Sequence, residues 1–189
     1  MSRLGVEQLS ALGLNPLEFV NLVADLGCNC VSTGLCGMPG YAPFSLRDDK
    51  ALRREMIAAM RDRGVSISLG EGCIARPGHD IRDMAADFDI FQELGAERIN
   101  TVSMDPDLGR SLDQFGVLAE MSAARGMQSS IELCPVLTIN NLAGAVAAVR
   151  RCGRRAVKRA VRHYKQRKVM SVAKLSCGCN LAKYVVLFR

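Results

Sequence analysis

Glu132 places a carboxylate where the surrounding sequence favours burial. It lies in Ser130-Ile131-Glu132-Leu133-Cys134-Pro135, a β-prone run otherwise fit for a core. An acid in such a run has to be paired, metal-bound or catalytic, because an uncompensated buried charge is too costly. An ion pair with a neighbouring arginine is the plain alternative. Glu71, in Gly70-Glu71-Gly72, is a second acid at the end of a strand-like run, with a solvated loop position as its alternative. Each acid is a candidate catalytic residue. Ser103, Asp105 and Arg110 follow another strand-like run. They are candidates for holding a substrate, and Arg110 for binding an anionic group. Equally, Asp105-Pro106-Asp107 reads as a helix-entry turn with a capping acid, and Arg110 as a helix-surface ion pair. Glu7, Ser10, Ser32 and Thr33 also end apolar runs. His79, the one histidine in the first 150 residues, reads as a surface-loop residue.

The elements that must position these groups follow from the glycines. Five helix-like runs each end in glycine and pass at once into a β-like run, at Gly27, Gly64, Gly95, Gly126 and Gly153. Glycine suits the left-handed position just past a helix end. The joints recur at about the 30-residue length of a βα unit. Strands are expected at 4–9, 29–33, 65–69, 98–103 and 127–133. Helices are expected from Pro16, over 48–63, after Asp80, over 108–125 and over 138–152. The fold class is therefore α/β, with parallel βα units of the TIM-barrel type. Five of eight units are present, so the barrel is incomplete or open. In such folds the site gathers at the C-terminal ends of the strands, where the acids above lie. The chain has no G-x-G-x-x-G after its first strand and no G-x₄-GK[ST], so dinucleotide and P-loop readings lose their main support.

Charge divides the 189 residues in two. Residues 1–149 hold twelve Lys/Arg and all nineteen Asp/Glu, a net charge of −7; residues 150–189 hold thirteen Lys/Arg and no acid. The expected division is a barrel-like part over 1–153 and a basic tail over 154–189. A basic helix within 154–168 would favour phosphates, with strong salt dependence. The apolar run 184–188 is β-prone and suited to pairing with an open sheet edge. No apolar stretch is long enough to span a membrane, and no secretory leader is evident, so a cytoplasmic location is expected. The eight cysteines then read as reduced thiols, as small buried hydrophobes or, for the C-x-C pairs, as ligands of a structural zinc.

Residues 3–150 resemble the sugar phosphate isomerase/epimerase family, the xylose isomerase-like TIM barrels. Four stretches carry the likeness: Ser45-Leu46-Arg47-Asp48-Asp49, residues 63–72, residues 93–100 and Ile131-Glu132-Leu133-Cys134-Pro135. The resemblance implies a divalent metal (Mn, Mg, Zn or Co) at the barrel mouth, with Glu132 as its first ligand. It also implies metal-assisted proton transfer next to the carbonyl of a sugar or sugar phosphate. In the family, later strands complete the metal site, typically with an Asp followed three residues on by a His. After Glu132 this chain has no acid, and Ala160 stands three residues before His163. Weak or absent turnover is therefore expected. Three alternatives accompany this reading: anion or nucleic-acid binding through the basic tail, an inactive truncated relative, or a tail read in a shifted frame. Self-association through an open sheet edge is a further expectation.

Overall fold

The computed structural model describes residues 4–160, 172–176 and 182–187. Five parallel strands, β1 (Gly5–Glu7), β2 (Cys30–Thr33), β3 (Ser66–Ala75), β4 (Arg98–Ser103) and β5 (Gln128–Leu133), lie side by side in chain order. Helices α1 (Pro16–Asp25), α2 (Lys50–Arg63), α3 (Ala85–Glu93) and α4 (Leu108–Ala124) connect them, and α5 (Leu142–Ala160) follows β5. Three-residue and four-residue 3₁₀ turns, Gln8–Ser10 and Ile81–Met84, precede α1 and α3.

Local sequence accounts for the helix ends. The Asn15 side chain accepts from the Leu17 and Glu18 amides, and Glu18 accepts in return from the Asn15 amide, a reciprocal cap. Asp49 and Asp107 cap α2 and α4. Gly27, Gly64, Gly95 and Gly126 all adopt positive φ, between 67° and 75°, at the expected joints. The fifth joint is different: Gly153 lies within α5, which continues to Ala160. One interior glycine costs about 1 kcal/mol relative to alanine, and the Arg-, Ala- and Lys-rich residues around it are good helix formers. The boundary expected at 153 thus falls inside a helix. Residues 161–168 of the expected basic helix, with His163, and Cys177 and Cys179 lie outside the described residues.

Alternation along the strands sorts the two faces of the sheet. Val31, Ile67 and Ile99 pack with Phe19, Met56, Phe88 and Phe91 on the helical side. Ile131 and Leu133 join Leu112, Phe115 and Ala148 in a second core patch under α4 and α5. Residues two apart share a strand face, so Asn100 and Val102, like Ser130 and Glu132, turn away from those cores.

The third strand departs from its expected length. It runs to Ala75 instead of stopping at Leu69, and Gly70 and Gly72 lie inside it. Gly70 pairs with Ile99 and Cys73 with Thr101, so Glu71 and Gly72 together oppose Asn100. This is a β-bulge, in which two residues of one strand face one residue of its neighbour. Gly72 supplies the positive φ of 100° that the bulge requires. A Cβ on Gly70 would stand 2.7 Å from the Phe91 ring, so the absent side chain lets α3 approach the strand.

At the other side of β5 the chain caps its own sheet. Strands β6 (Val172–Ser176) and β7 (Ala182–Leu187) pair antiparallel with each other, and β7 pairs antiparallel with β5. The β-prone run near the C-terminus therefore occupies the edge of β5. Opposite Glu132 in the ladder stands Val185. Among the described residues the sheet order is β1-β2-β3-β4-β5-β7-β6, an open arrangement.

The tight packing at Gly70 yields a measurable expectation. Gly70→Ala forces the Phe91 ring or the strand to shift and lowers stability by about 1–3 kcal/mol. Urea denaturation followed by far-UV circular dichroism should show the lower midpoint with an unchanged slope.

Candidate active site

At the C-terminal ends of the parallel strands, one hydrogen-bonded chain links four elements. The Asn100 side-chain amide donates to Glu71 Oε2 and to Glu132 Oε2, each at 2.9 Å. Ser32 Oγ donates to Glu71 Oε1 at 2.7 Å, and Ser130 Oγ donates to Asn100 Oδ1 at 3.0 Å. Both amide hydrogens of Asn100 are thus used on two different carboxylates. β2 supplies Ser32, the β3 bulge Glu71, β4 Asn100, and β5 both Ser130 and Glu132. The two acids singled out from the sequence are brought together. The residue joining them, Asn100, was missed.

These groups form the polar floor of a cavity of about 530 Å³. Glu7 and Gln8 complete the polar part of its wall. Gln8 Oε1 accepts from Thr33 Oγ1 and from the Gly34 amide, both at 2.9 Å, and so fixes the turn that leaves β2. Glu132 is buried. Burial raises the Glu71 carboxyl above its ordinary pKa; hydrogen bonds from Asn100 and Ser32 oppose this, and the nearby Glu132 and Glu7 charges reinforce it. One member of the pair is therefore disposed to hold a proton where an ordinary carboxyl has lost it. Cys36, Cys73 and Cys134 also line the cavity. Burial pushes the Cys73 thiol up to about 12, so it contributes a neutral wall and not a nucleophile. None of the six described cysteines forms a disulfide.

Ser103, Asp105 and Arg110 form a separate cluster and are not among the residues lining this cavity. Arg110 Nε and Nη2 engage both oxygens of buried Asp105, at 2.5 and 2.7 Å, and hold that carboxyl below its ordinary pKa. Ser103 Oγ lies 2.5 Å from Ser111 Oγ. Thr138 Oγ1 donates to the Asp105 carbonyl at 2.5 Å, and the Thr138 amide donates to the Ser103 carbonyl at 3.1 Å. This knot ties the loop after β4 to the loop after β5, both of which shape the cavity mouth. Ser45-Leu46-Arg47-Asp48-Asp49 has an equally local explanation. Ser45 Oγ donates to Asp48, Leu46 is fully buried, Arg47 makes a two-point pair with Asp87 at 2.7 Å, and Asp49 caps α2.

Fit to a divalent metal depends on the number and kind of donor atoms. Among the described residues no group of three His, Cys, Asp or Glu could hold a metal ion. Glu132 has Glu71 near it, but the Asn100 amide presents N–H donors to both carboxylates, where a cation would need acceptor atoms. The residues described here do not fit the metal centre that the resemblance implies.

No family model matches the chain, and no curated protein matches it. Solved structures do. A xylose isomerase domain containing protein from Salmonella typhimurium LT2 aligns with a TM-score of 0.67 at 17% identity, over 80% of this chain and 57% of that one. D-psicose 3-epimerase, solved in the presence of D-fructose, aligns with a TM-score of 0.64 at 12% identity, over 80% and 60%. IolI protein, solved with a zinc atom, aligns with a TM-score of 0.64 at 14% identity, over 80% and 59%. The chain thus has the fold of the xylose isomerase-like TIM barrels that its sequence resembles, and spans less than two thirds of these structures. No helix among the described residues is long and apolar enough to cross a membrane.

Two expectations follow from the carboxylate pair. Below its ordinary value of 4.5 the Glu71 carboxyl is protonated both folded and unfolded. As pH rises past that value the unfolded chain releases the proton first, so Glu71 lowers stability progressively until the folded group also ionises. Glu71→Gln removes this loss and is expected to be more stable than the wild type at pH 7, with the advantage vanishing near pH 4. Denaturation curves across pH 4–8 measure it. Asn100→Asp replaces the shared donor by a third acid and should cost about 1–3 kcal/mol at pH 7, with partial recovery in acid. Thermal melts at the two pH values check this.

Proposed function

We propose that the Glu71–Asn100–Glu132 constellation transfers protons next to the carbonyl of a small hydroxy-carbonyl compound, the chemistry of an isomerase or epimerase. The observation that carries this reading is the single Asn100 amide holding two carboxylates 2.9 Å away on either side, at the floor of an open cavity. The shared fold supports it, since the neighbours include a D-psicose 3-epimerase.

In this reading Glu132 accepts the proton from the carbon beside the carbonyl. The electron pair of the broken C–H bond forms a C=C bond as the carbonyl π pair moves onto oxygen, which leaves an enediolate. Glu71, whose carboxyl holds its proton above the ordinary carboxylate range, delivers it to that oxygen and gives the neutral enediol. A proton then returns from Glu132 to one carbon of the C=C bond while an enediol O–H gives its proton back to Glu71 as the C=O re-forms. Proton and electron counts close without an oxidant. Asn100 keeps the two acids apart in charge and close in space, and Ser32 and Ser130 keep Glu71 and Asn100 in register. Ser103, Asp105 and Arg110 act at a distance in this scheme, by holding the cavity mouth. No step passes through a metal.

Proton exchange provides the test. Ketohexoses and ketopentoses incubated with the full chain in D₂O should lose carbon-bound proton signals in ¹H NMR. Glu71→Gln and Glu132→Gln should each slow the exchange by about 10²–10⁴-fold. Exchange by the wild type no faster than by either folded variant would refute the assignment.

A further inference from the structure

The same cavity carries information about what it takes, and this inference rests on the proton-transfer reading above. Its polar groups are the Glu71–Asn100–Glu132 floor with Ser32, and Glu7 and Gln8 on one part of the wall. The rest of the lining is mostly apolar and includes Ile74, Val102, Met38, Met104, Val136 and Leu137. Met38, Met104 and Val136 are exposed to solvent at 45%, 58% and 78%, so this apolar rim faces whatever enters. The rim is also held in place. The Met104 amide donates to the Ala75 carbonyl at 2.8 Å, the Leu137 amide donates to the Cys134 carbonyl at 2.9 Å, and Thr138 ties the two loops together.

Charge points the same way. Among the described residues, no Lys, Arg or His lines the cavity. Arg110, the cationic candidate from the sequence, has its guanidinium occupied by Asp105, and Arg47, whose Nη1 donates to the cavity-lining Cys36 Sγ at 3.4 Å, is held in a two-point pair with Asp87. A phosphate monoester carries about two negative charges near neutral pH and is bound through cationic side chains or clusters of backbone amides. Here it would meet three carboxylates, Glu7, Glu71 and Glu132, and a rim of hydrocarbon. Desolvating it there would be uncompensated.

We infer that the site takes an uncharged hydroxy-carbonyl compound with a carbon-rich end, and excludes phosphate esters. The carbonyl and hydroxyl end lies on the Glu71–Asn100–Glu132 floor, and the carbon-rich end lies against Met104, Val136 and Leu137. The cavity volume leaves room for such an end beyond the reacting carbons.

Isothermal titration of the full chain with D-fructose, 6-deoxy-D-fructose and D-fructose 6-phosphate tests this. Replacing the terminal hydroxyl by a methyl end should tighten binding by about tenfold, the scale of one group in an apolar pocket. The phosphate should show no measurable binding to the wild type, and Val136→Lys, a change at an exposed rim position, should create it. Phosphate binding at least as tight as that of the 6-deoxy sugar overturns the assignment, as does failure of all three to bind. Tighter binding of the 6-deoxy sugar without proton exchange in D₂O would instead refute the catalytic reading and leave the ligand class standing.

Discussion

The site depends on one amide. Two carboxylates brought together in a partly dry cavity repel each other, and either could swing to solvent or force its neighbour to take up a proton. Asn100 resolves this by spending one N–H on each, while Ser130 fixes its oxygen. The arrangement demands that Glu71 approach Asn100 from the adjacent strand, which the regular pleat alone does not provide. The bulge at Glu71 and Gly72 provides it by setting two residues of β3 against one of β4. Gly70 in turn lets α3 pack close behind the bulge. A chemical requirement at the floor is thus met by two glycines that carry no chemistry.

The same logic shows which features were legible in the sequence. Glu132 stood out because it interrupts a β-prone, burial-fit run. The four joints at Gly27, Gly64, Gly95 and Gly126 were legible because a positive φ past a helix end is a strong local demand on residue type. Gly153 carried the same local signature, but the surrounding residues favour the helix more than one glycine opposes it. Gly70 and Gly72 lie beyond residue 69, where the third strand is expected to end, yet fall inside it. Glycines inside a strand-like run also signal a bulge or a close backbone approach, and both occur here.

Asn100 was not legible, because its meaning is non-local. Within Arg98–Ser103 it is one polar residue in a strand. Only the pairing of β3 with β4 and of β4 with β5 places it between two acids 29 and 32 residues away. Ser103, Asp105 and Arg110 show the converse. Their types suggested contact with a ligand, whereas their partners are each other and the loop carrying Thr138.

The C-terminal hairpin has a consequence for how the sheet is assembled. Strands β6 and β7 pair across a short stretch of chain, Ser176 opposite Ala182, so their contact is local and rapid to form. Docking β7 on β5 then joins residues about 53 apart, such as Glu132 and Val185, against 30 for Arg98 and Gln128 in the preceding βα step. Loop-closure entropy rises by only about 0.6 kcal/mol per doubling of length, so the longer span adds little. Sequence separation thus opposes the docking of this hairpin hardly more than it opposes the preceding βα step.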